Sequence, residues 1–497
     1  MAKVRLNFIE GKWVGPAGKK YFEDRNPAYW KELLGSFPES GPEDVEKAVS
    51  AAEKAYESWR LLPPPKRGEI ILKAGLLLQD QKEELARLMT REMGKVLKEA
   101  RGDVQEAIDM AFYTAGEGRR LFGKTTTSEL KNKFAMSVRM PVGVCGLITP
   151  WNFPVAIPSW KIFPALICGN TLIFKPAEDT PACGAKFVEI LQEAGLPAGV
   201  LNLIHGGADA GQALVNHPRI RLISFTGSCE AGRMIAAQTG RALKRCSLEM
   251  GGKNAQIVMA DADLDLAIEG AVWGAFGTTG QRCTAASRIY IERKIFETFR
   301  RAVVERARKI KVGNGFKSGI EMGPVINETQ LKRVDSYVRS GIEEGARLEC
   351  GGRILKGAAF KNGFFYAPTV FTRVSPKMKI IREEIFGPVT CLIPVKSLEE
   401  AIREVNRSAY GLSSSIYSRD VNRAMRAIRD IEAGITYING PTIGAEVHLP
   451  FGGVKNTGNG HREAGETALD IFSEWKSVFI DYSGKLQKAQ IDVDGMK

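Results

Sequence analysis

No apolar run in the 497-residue chain approaches the ~20 residues needed to cross a bilayer. The start, Met1-Ala2-Lys3-Val4-Arg5, lacks the apolar core of a secretory leader. The expectation is a cytoplasmic protein with no membrane partner. Metal-ligand patterns are equally sparse: the four histidines stand at no zinc spacing with the eight cysteines, and no two cysteines form a Cys-x-x-Cys pair. No metal is expected. Cys145, Cys168, Cys183, Cys229, Cys246, Cys350 and Cys391 therefore read as small buried hydrophobes. A nucleic-acid role lacks both a motif and a basic stripe. The 70 Lys and Arg are interleaved with 57 Asp and Glu, so the net charge of +13 reads as a mixed solvated surface.

What remains is an ordinary globular composition, 44% hydrophobic and 26% charged, in a chain too long for one core; two or three domains are expected. Helical spacing covers 44–59, is broken by Pro63-Pro64-Pro65, and resumes over 67–79, over 82–93 and from about 99. From Val142 the pattern becomes short apolar runs alternating with helices. Strands are predicted over 142–149, 171–174, 200–204 and 222–225 and up to 248, with helices between them. This repeated β-α-β reads as a parallel, doubly wound sheet. The second half repeats the alternation, with strands over 288–292, 389–394, 412–417 and 434–439. Two further apolar segments, 133–140 and 477–482, read as strands projecting from the body, an edge that calls for a partner copy.

Ligands of such sheets gather beyond the carboxyl ends of the strands. Trp151-Asn152, Lys175 to Glu178, Gly206-Gly207, Thr226-Gly227-Ser228 and Glu249 all fall there. The common dinucleotide fingerprint GxGxxG is absent. In its place Gly227-Ser228 opens a helix whose free N–H groups suit a pyrophosphate. A carboxylate such as Glu178 accepts from ribose hydroxyls and repels a 2′-phosphate; read plainly, Lys175 and Glu178 are a solvated charge pair. The Asn152 amide can donate to a developing oxyanion or simply form a turn. Cys283, set among small residues in Gly280-Gln281-Arg282-Cys283-Thr284, supplies a nucleophile, and Glu249 supplies a carboxylate able to act as general base.

These stretches, together with Pro150-Trp151-Asn152-Phe153-Pro154, Phe174-Lys175-Pro176-Ala177-Glu178, Leu248-Glu249-Met250-Gly251-Gly252-Lys253, Glu384-Ile385-Phe386-Gly387-Pro388 and Pro450-Phe451-Gly452-Gly453, resemble the aldehyde dehydrogenase superfamily almost end to end. The resemblance implies two doubly wound, Rossmann-like α/β domains plus a small β oligomerisation flap. A cofactor-binding domain would span 1–121 and 142–251, a catalytic domain 252–456, and oligomerisation segments 122–141 and 457–497. It also implies Cys283 as nucleophile, Glu249 as base, and Asn152 with the Cys283 N–H as oxyanion hole. Glu463 would relay protons with Lys161. NAD, or NADP in its place, would be held by Thr149, Pro150, Trp151, Lys175, Glu178, Gly207, Gly211, Phe225, Gly227, Ser228, Gly251, Glu384 and Phe386.

The implied reaction is oxidation of an aldehyde to its acid through a thiohemiacetal and a thioester, in a homodimer or homotetramer. Two departures from the family pattern stand out: Cys229 where threonine is common, and His461 as an extra residue before Arg462-Glu463. Arg282, beside the nucleophile, either binds a distal carboxylate of the substrate or points into structure. With Phe153 and the loop 441–449, which resembles a substrate-anchoring loop, it marks a semialdehyde such as 2,5-dioxopentanoate. A general aldehyde dehydrogenase and a coenzyme-A-acylating relative are the alternatives.

Overall fold

The computed structural model describes residues 3–491, so the outermost ends of the expected terminal segments, 1–2 and 492–497, lie outside the described residues. Two seven-stranded sheets organise the chain. In the first, Arg245–Glu249, Leu222–Thr226, Val144–Ile148, Thr171–Lys175 and Leu201–Leu203 lie side by side and parallel. The sheet then continues antiparallel into the hairpin Asn7–Ile9 and Lys12–Val14. Strand order reverses between Val144–Ile148 and Leu222–Thr226, opening the crevice where such sheets take ligands. The second sheet runs Arg347–Cys350, Thr369–Thr372, Val389–Val395, Ala286–Glu292, Asn254–Val258, Ser413–Tyr417 and Ile435–Ile438, antiparallel only at its first strand.

Helices cover both faces of the first sheet, burying separate apolar clusters around Leu147 and Phe174 on one side and Ile173 and Ile223 on the other. The expected N-terminal helices are present as Pro42–Trp59, Pro64–Asp80, Lys82–Glu92 and Leu97–Glu117. The proline run does more than break the first helix: Pro64 stands at the first position of the second, where its missing N–H is not needed. The strands before Pro42 were not predicted. They are two to six residues long and lie at sheet edges or in a small three-stranded sheet, so they carry little alternation.

The projecting pair is present, and longer than predicted. Ser473–Asp481 pairs antiparallel with Lys133–Pro141, which also pairs with Lys124–Thr127. The flap strand begins at Ser473; ahead of it Ala464, Leu469, Ile471 and Phe472 pack into the core of the first sheet.

Arg67 ties three helix ends together. Its guanidinium donates to the carbonyl oxygens of Ile167 (3.0 and 2.8 Å) and Trp59 (3.5 Å) at helix ends and of Leu62 (2.5 Å) in the turn between two helices. Arg67→Met removes all of these donations. The expected loss is about 2–4 kcal/mol of unfolding free energy, read from urea denaturation.

Candidate active site

The loop that carries Cys283 is strained. The helix Leu264–Phe276 runs into a tight turn, Gly277–Gly280, in which Thr278 (φ 51°), Thr279 (φ 59°) and Gly280 (φ 66°) are all left-handed. Such a conformation costs a β-branched residue roughly 1–2 kcal/mol. Gly280 is required here, because a Cβ would sit 2.2 Å from the Gly387 carbonyl oxygen. The turn leads Cys283 into a cavity of about 270 Å³ that is also lined by Asn152, Glu249, Glu384 and Glu463. Burial pushes the Cys283 thiol up to about 12, reinforced by the Glu384 and Glu249 carboxylates.

Glu249 ends its strand with both carboxylate oxygens buried and without a hydrogen-bond partner. Burial, and then the nearby Glu463, hold its carboxyl well above the usual range, while Lys161 and Arg462 oppose the shift. Gly452 (φ 150°) makes room for it: a Cβ there would come 2.5 Å from Oε1. Lys161 is fully buried, donates to Ser224 Oγ at 2.9 Å and forms an ion pair with Glu463. The extra His461 therefore does not displace Glu463 from Lys161. Asn152 donates to the Gln281 carbonyl at 3.1 Å, which places its amide beside the loop that carries Cys283.

Of the residues expected at a dinucleotide, Pro150, Trp151, Gly227, Ser228, Gly251, Glu384 and Phe386 line this same cavity. Ser228 caps the helix Cys229–Arg241, its Oγ accepting from Ala231 N–H at 3.2 Å. Glu384 Oε1 accepts from Gly252 N–H at 2.9 Å, and its carboxyl is pushed up to about 7 by burial. Phe386 packs edge-on against Trp151 at 5.3 Å. Lys175, Glu178, Gly207 and Gly211 lie off the cavity: Lys175 ends its strand, Glu178 is in the loop that follows, and Gly207 caps the helix Ala208–Asn216 that holds Gly211. Lys175 is buried and donates to Gly206 O (2.6 Å) and Pro176 O (3.0 Å), with exposed Glu178 3.6 Å away. A Cβ on Gly211 would approach the Lys175 stem to 3.8 Å. Thr149 and Phe225 do not line the cavity either, and the Oγ1 atoms of Thr149 and Thr226 are buried without partners. Helix N-terminus, partnerless hydroxyls and a bare glycine edge together fit a dinucleotide.

Arg282 lines the cavity but does not stand alone there. Its Nε donates to Thr278 Oγ1 (2.9 Å), Nη2 lies 3.5 Å from Glu99, and the guanidinium is 5.2 Å from each of the Phe153 and Trp273 rings. The guanidinium thus packs into structure while still lining the cavity. Glu106, Trp160, Gln330, Arg333 and Phe451 also line the cavity and were not predicted. Glu106 left a faint signal: with Glu99 and Asp103 it forms an acidic i, i+4, i+7 row on the long helix Leu97–Glu117. Burial and Asp103 push its carboxyl up to about 8. All eight cysteines are free thiols. Among the described residues, no group of His, Cys, Asp and Glu is arranged to hold a metal and no helix is long and apolar enough to cross a membrane.

A family model described as the aldehyde dehydrogenase family matches residues 13–478. The chain is 42% identical over 476 residues to an alpha-ketoglutaric semialdehyde dehydrogenase of Bacillus subtilis, covering 96% of this chain and 98% of that one. It is 41% identical to a 2,5-dioxopentanoate dehydrogenase of Saccharolobus solfataricus, covering 95% and 98%. A crystal structure of Staphylococcus aureus betaine aldehyde dehydrogenase in complex with NAD+ superposes with a TM-score of 0.95 at 35% identity, covering 97% of this chain and 96% of that one.

Iodoacetamide is expected to alkylate Cys283, on the cavity wall, before the buried Cys145, Cys168, Cys183 and Cys391. Its rate should climb with pH toward about pH 12, because only the thiolate reacts and the raised pKa keeps it scarce at neutrality. Peptide mass spectrometry across a pH series checks both points.

Proposed function

Because the chain belongs to the aldehyde dehydrogenase family, we propose that it oxidises an aldehyde to its carboxylic acid with NAD, using Cys283, Glu249 and Asn152 on one buried cavity. The observation that carries this is their convergence: a thiol, a dry carboxylate and a side-chain amide line the same space. Cys283 adds as thiolate to the aldehyde carbon, and the Asn152 amide donates to the oxygen that becomes negative. NAD, when bound, supplies the acceptor for the hydride that leaves this carbon. The thioester left on Cys283 is hydrolysed by a water whose proton Glu249 accepts, regenerating the thiolate and releasing the acid. Glu463 and Lys161 form the onward route for that proton.

We assign the cofactor groove to the expected residues 149–151, 175, 178, 207, 211, 225, 227, 228, 251, 384 and 386. Glu178 favours NAD over NADP by repelling a 2′-phosphate. Glu249 directs the thioester to water rather than to coenzyme A. The expected divisions (1–121 with 142–251, then 252–456) supply the cofactor and catalytic halves. The flap strand Ser473–Asp481, exposing Trp475, Phe479 and Ile480 at an unpaired sheet edge, joins copies of a cytoplasmic homodimer or homotetramer. The first test is appearance of NADH from an aldehyde without coenzyme A. Asn152→Ala should lower kcat by ~10²–10³; an unaltered kcat would remove Asn152 from the chemistry.

The substrate we infer is a semialdehyde carrying a distal carboxylate, 2,5-dioxopentanoate being the best fit to the relatives' names. Arg282 supports this reading: its guanidinium, held between two aromatic rings, is the cation on the cavity wall nearest Cys283 in sequence. Arg282→Ala should cut kcat/KM for the semialdehyde by ~10–100-fold and leave propanal little changed, the worth of a charged hydrogen bond. Glu106 faces the same cavity, with Asp103, Asp109, Lys95, Arg282 and Tyr437 around it. A carboxyl raised to about 8 is neutral at pH 7 and ionises above pH 8, where it repels an anionic substrate. The KM for 2,5-dioxopentanoate should therefore rise above pH 8 while that for propanal does not, and Glu106→Gln should flatten the rise.

A further inference from the structure

We propose that Glu99 is a positioning residue for the nucleophile: its carboxylate pins the left-handed turn at Thr278 and so fixes where Cys283 and Arg282 point. Glu99 stands in the first turn of the helix Leu97–Glu117 with its side chain 4% exposed. Its Oε1 accepts from Thr278 N–H at 2.7 Å and faces Arg282 Nη2 at 3.5 Å. Arg282 Nε in turn donates to Thr278 Oγ1 at 2.9 Å. Carboxylate, backbone amide, hydroxyl and guanidinium thus close a ring around a turn that threonine does not adopt unaided.

Both threonines are 1% exposed, so the Thr278 N–H has no water to fall back on. Without Glu99 the turn has reason to relax toward right-handed backbone, and Cys283 lies only five residues downstream. Other ties keep the loop from unfolding altogether: Thr279 Oγ1 donates to Gly323 O at 3.1 Å, and Gln281 Oε1 accepts from Ile326 N–H at 2.9 Å. The effect of losing Glu99 is therefore a displaced thiol rather than a lost fold.

One turn further along the same helix face, Asp103 makes the matching arrangement for the oxyanion side. It accepts from Ala156 N–H at 2.8 Å and from Lys95 Nζ at 2.8 Å, and Lys95 lies 4.0 Å over the Phe153 ring next to Asn152. A single helix face thereby holds the loops of both the nucleophile and the oxyanion donor. The charge on Glu99 is secondary in this role; the reach of its acceptor oxygen is what matters.

The inference rests on Cys283 being the nucleophile, and the test separates the two. Glu99→Gln keeps the reach and drops the charge; Glu99→Asp keeps the charge and shortens the reach. With propanal and NAD, Glu99→Asp is expected to lose at least about tenfold in kcat at nearly native KM, and Glu99→Gln to stay within about threefold of the native enzyme. Alkylation of Cys283 by iodoacetamide, which needs neither aldehyde nor cofactor, should slow at least about threefold in the Asp variant only. Adding Thr278→Gly to Glu99→Asp should restore both readouts, because glycine takes the left-handed conformation unaided. Equal losses in the two single variants, no loss in either, or no rescue by glycine overturns the proposal. A native enzyme that turns over no aldehyde refutes the reaction instead, and alkylation then still decides the positioning.

Discussion

Four residues, Met250 to Lys253, are all that separate the last strand of the first sheet from the interior strand Asn254–Val258 of the second. That crossing is the constraint on which the active site depends. A Cβ on Gly252 would lie 2.5 Å from the Cys283 carbonyl oxygen, so backbone meets backbone with no side chain between. Asn254 completes the joint: its amide donates to Cys283 O (2.7 Å) and Ala285 O (3.0 Å), and its Oδ1 accepts from Ser413 N–H (3.0 Å). The short connection delivers Glu249 and the Cys283 loop to one cleft. Gly252 N–H reaches Glu384 in the same place.

Burial in the cleft disfavours the charged forms of its acids. It raises Glu249, Glu384 and Glu106 together with the Cys283 thiol, and each acid's neighbours add to or temper that push. Charge that develops in so dry a site is met by donors already in place. Preorganised dipoles in a dry site act most strongly under that condition. Three nearby cations are held by the fold: Lys161 by Glu463 and Ser224, Lys95 by Asp103, and Arg282 by the turn and two aromatic rings.

Much of the fold could be read from the chain because its central strands are short, apolar and separated by capped helices. Leu222–Thr226 and Phe296–Lys309 announce themselves by composition and by what ends them. Edge elements could not be read this way: the hairpin Asn7–Ile9 and Lys12–Val14 owes its pairing to Leu203 across the sheet. The strand-end rule located one side of the cavity, since Asn152 and Ser228 follow strands and Glu249 ends one. The same rule is silent on Cys283, which precedes its strand and sits at the amino end of the second sheet. Motif resemblance found it. Glu99 and Glu106 escaped because acids on a charged helix look solvated until a neighbouring loop covers them.

The sequence by itself determined the layered α/β architecture, and it offered Cys283, Glu249 and the Gly227-Ser228 turn as candidates through residue type and motif. Only the tertiary structure decided which way Arg282 faces, that Glu463 meets Lys161 despite the inserted His461, and that one helix lines the cavity with Glu106 while Glu99 and Asp103 hold adjoining loops. Those outcomes join positions up to 302 residues apart along the chain. Such distances close only when the two sheets are folded against each other, and no local pattern encodes the burial that follows.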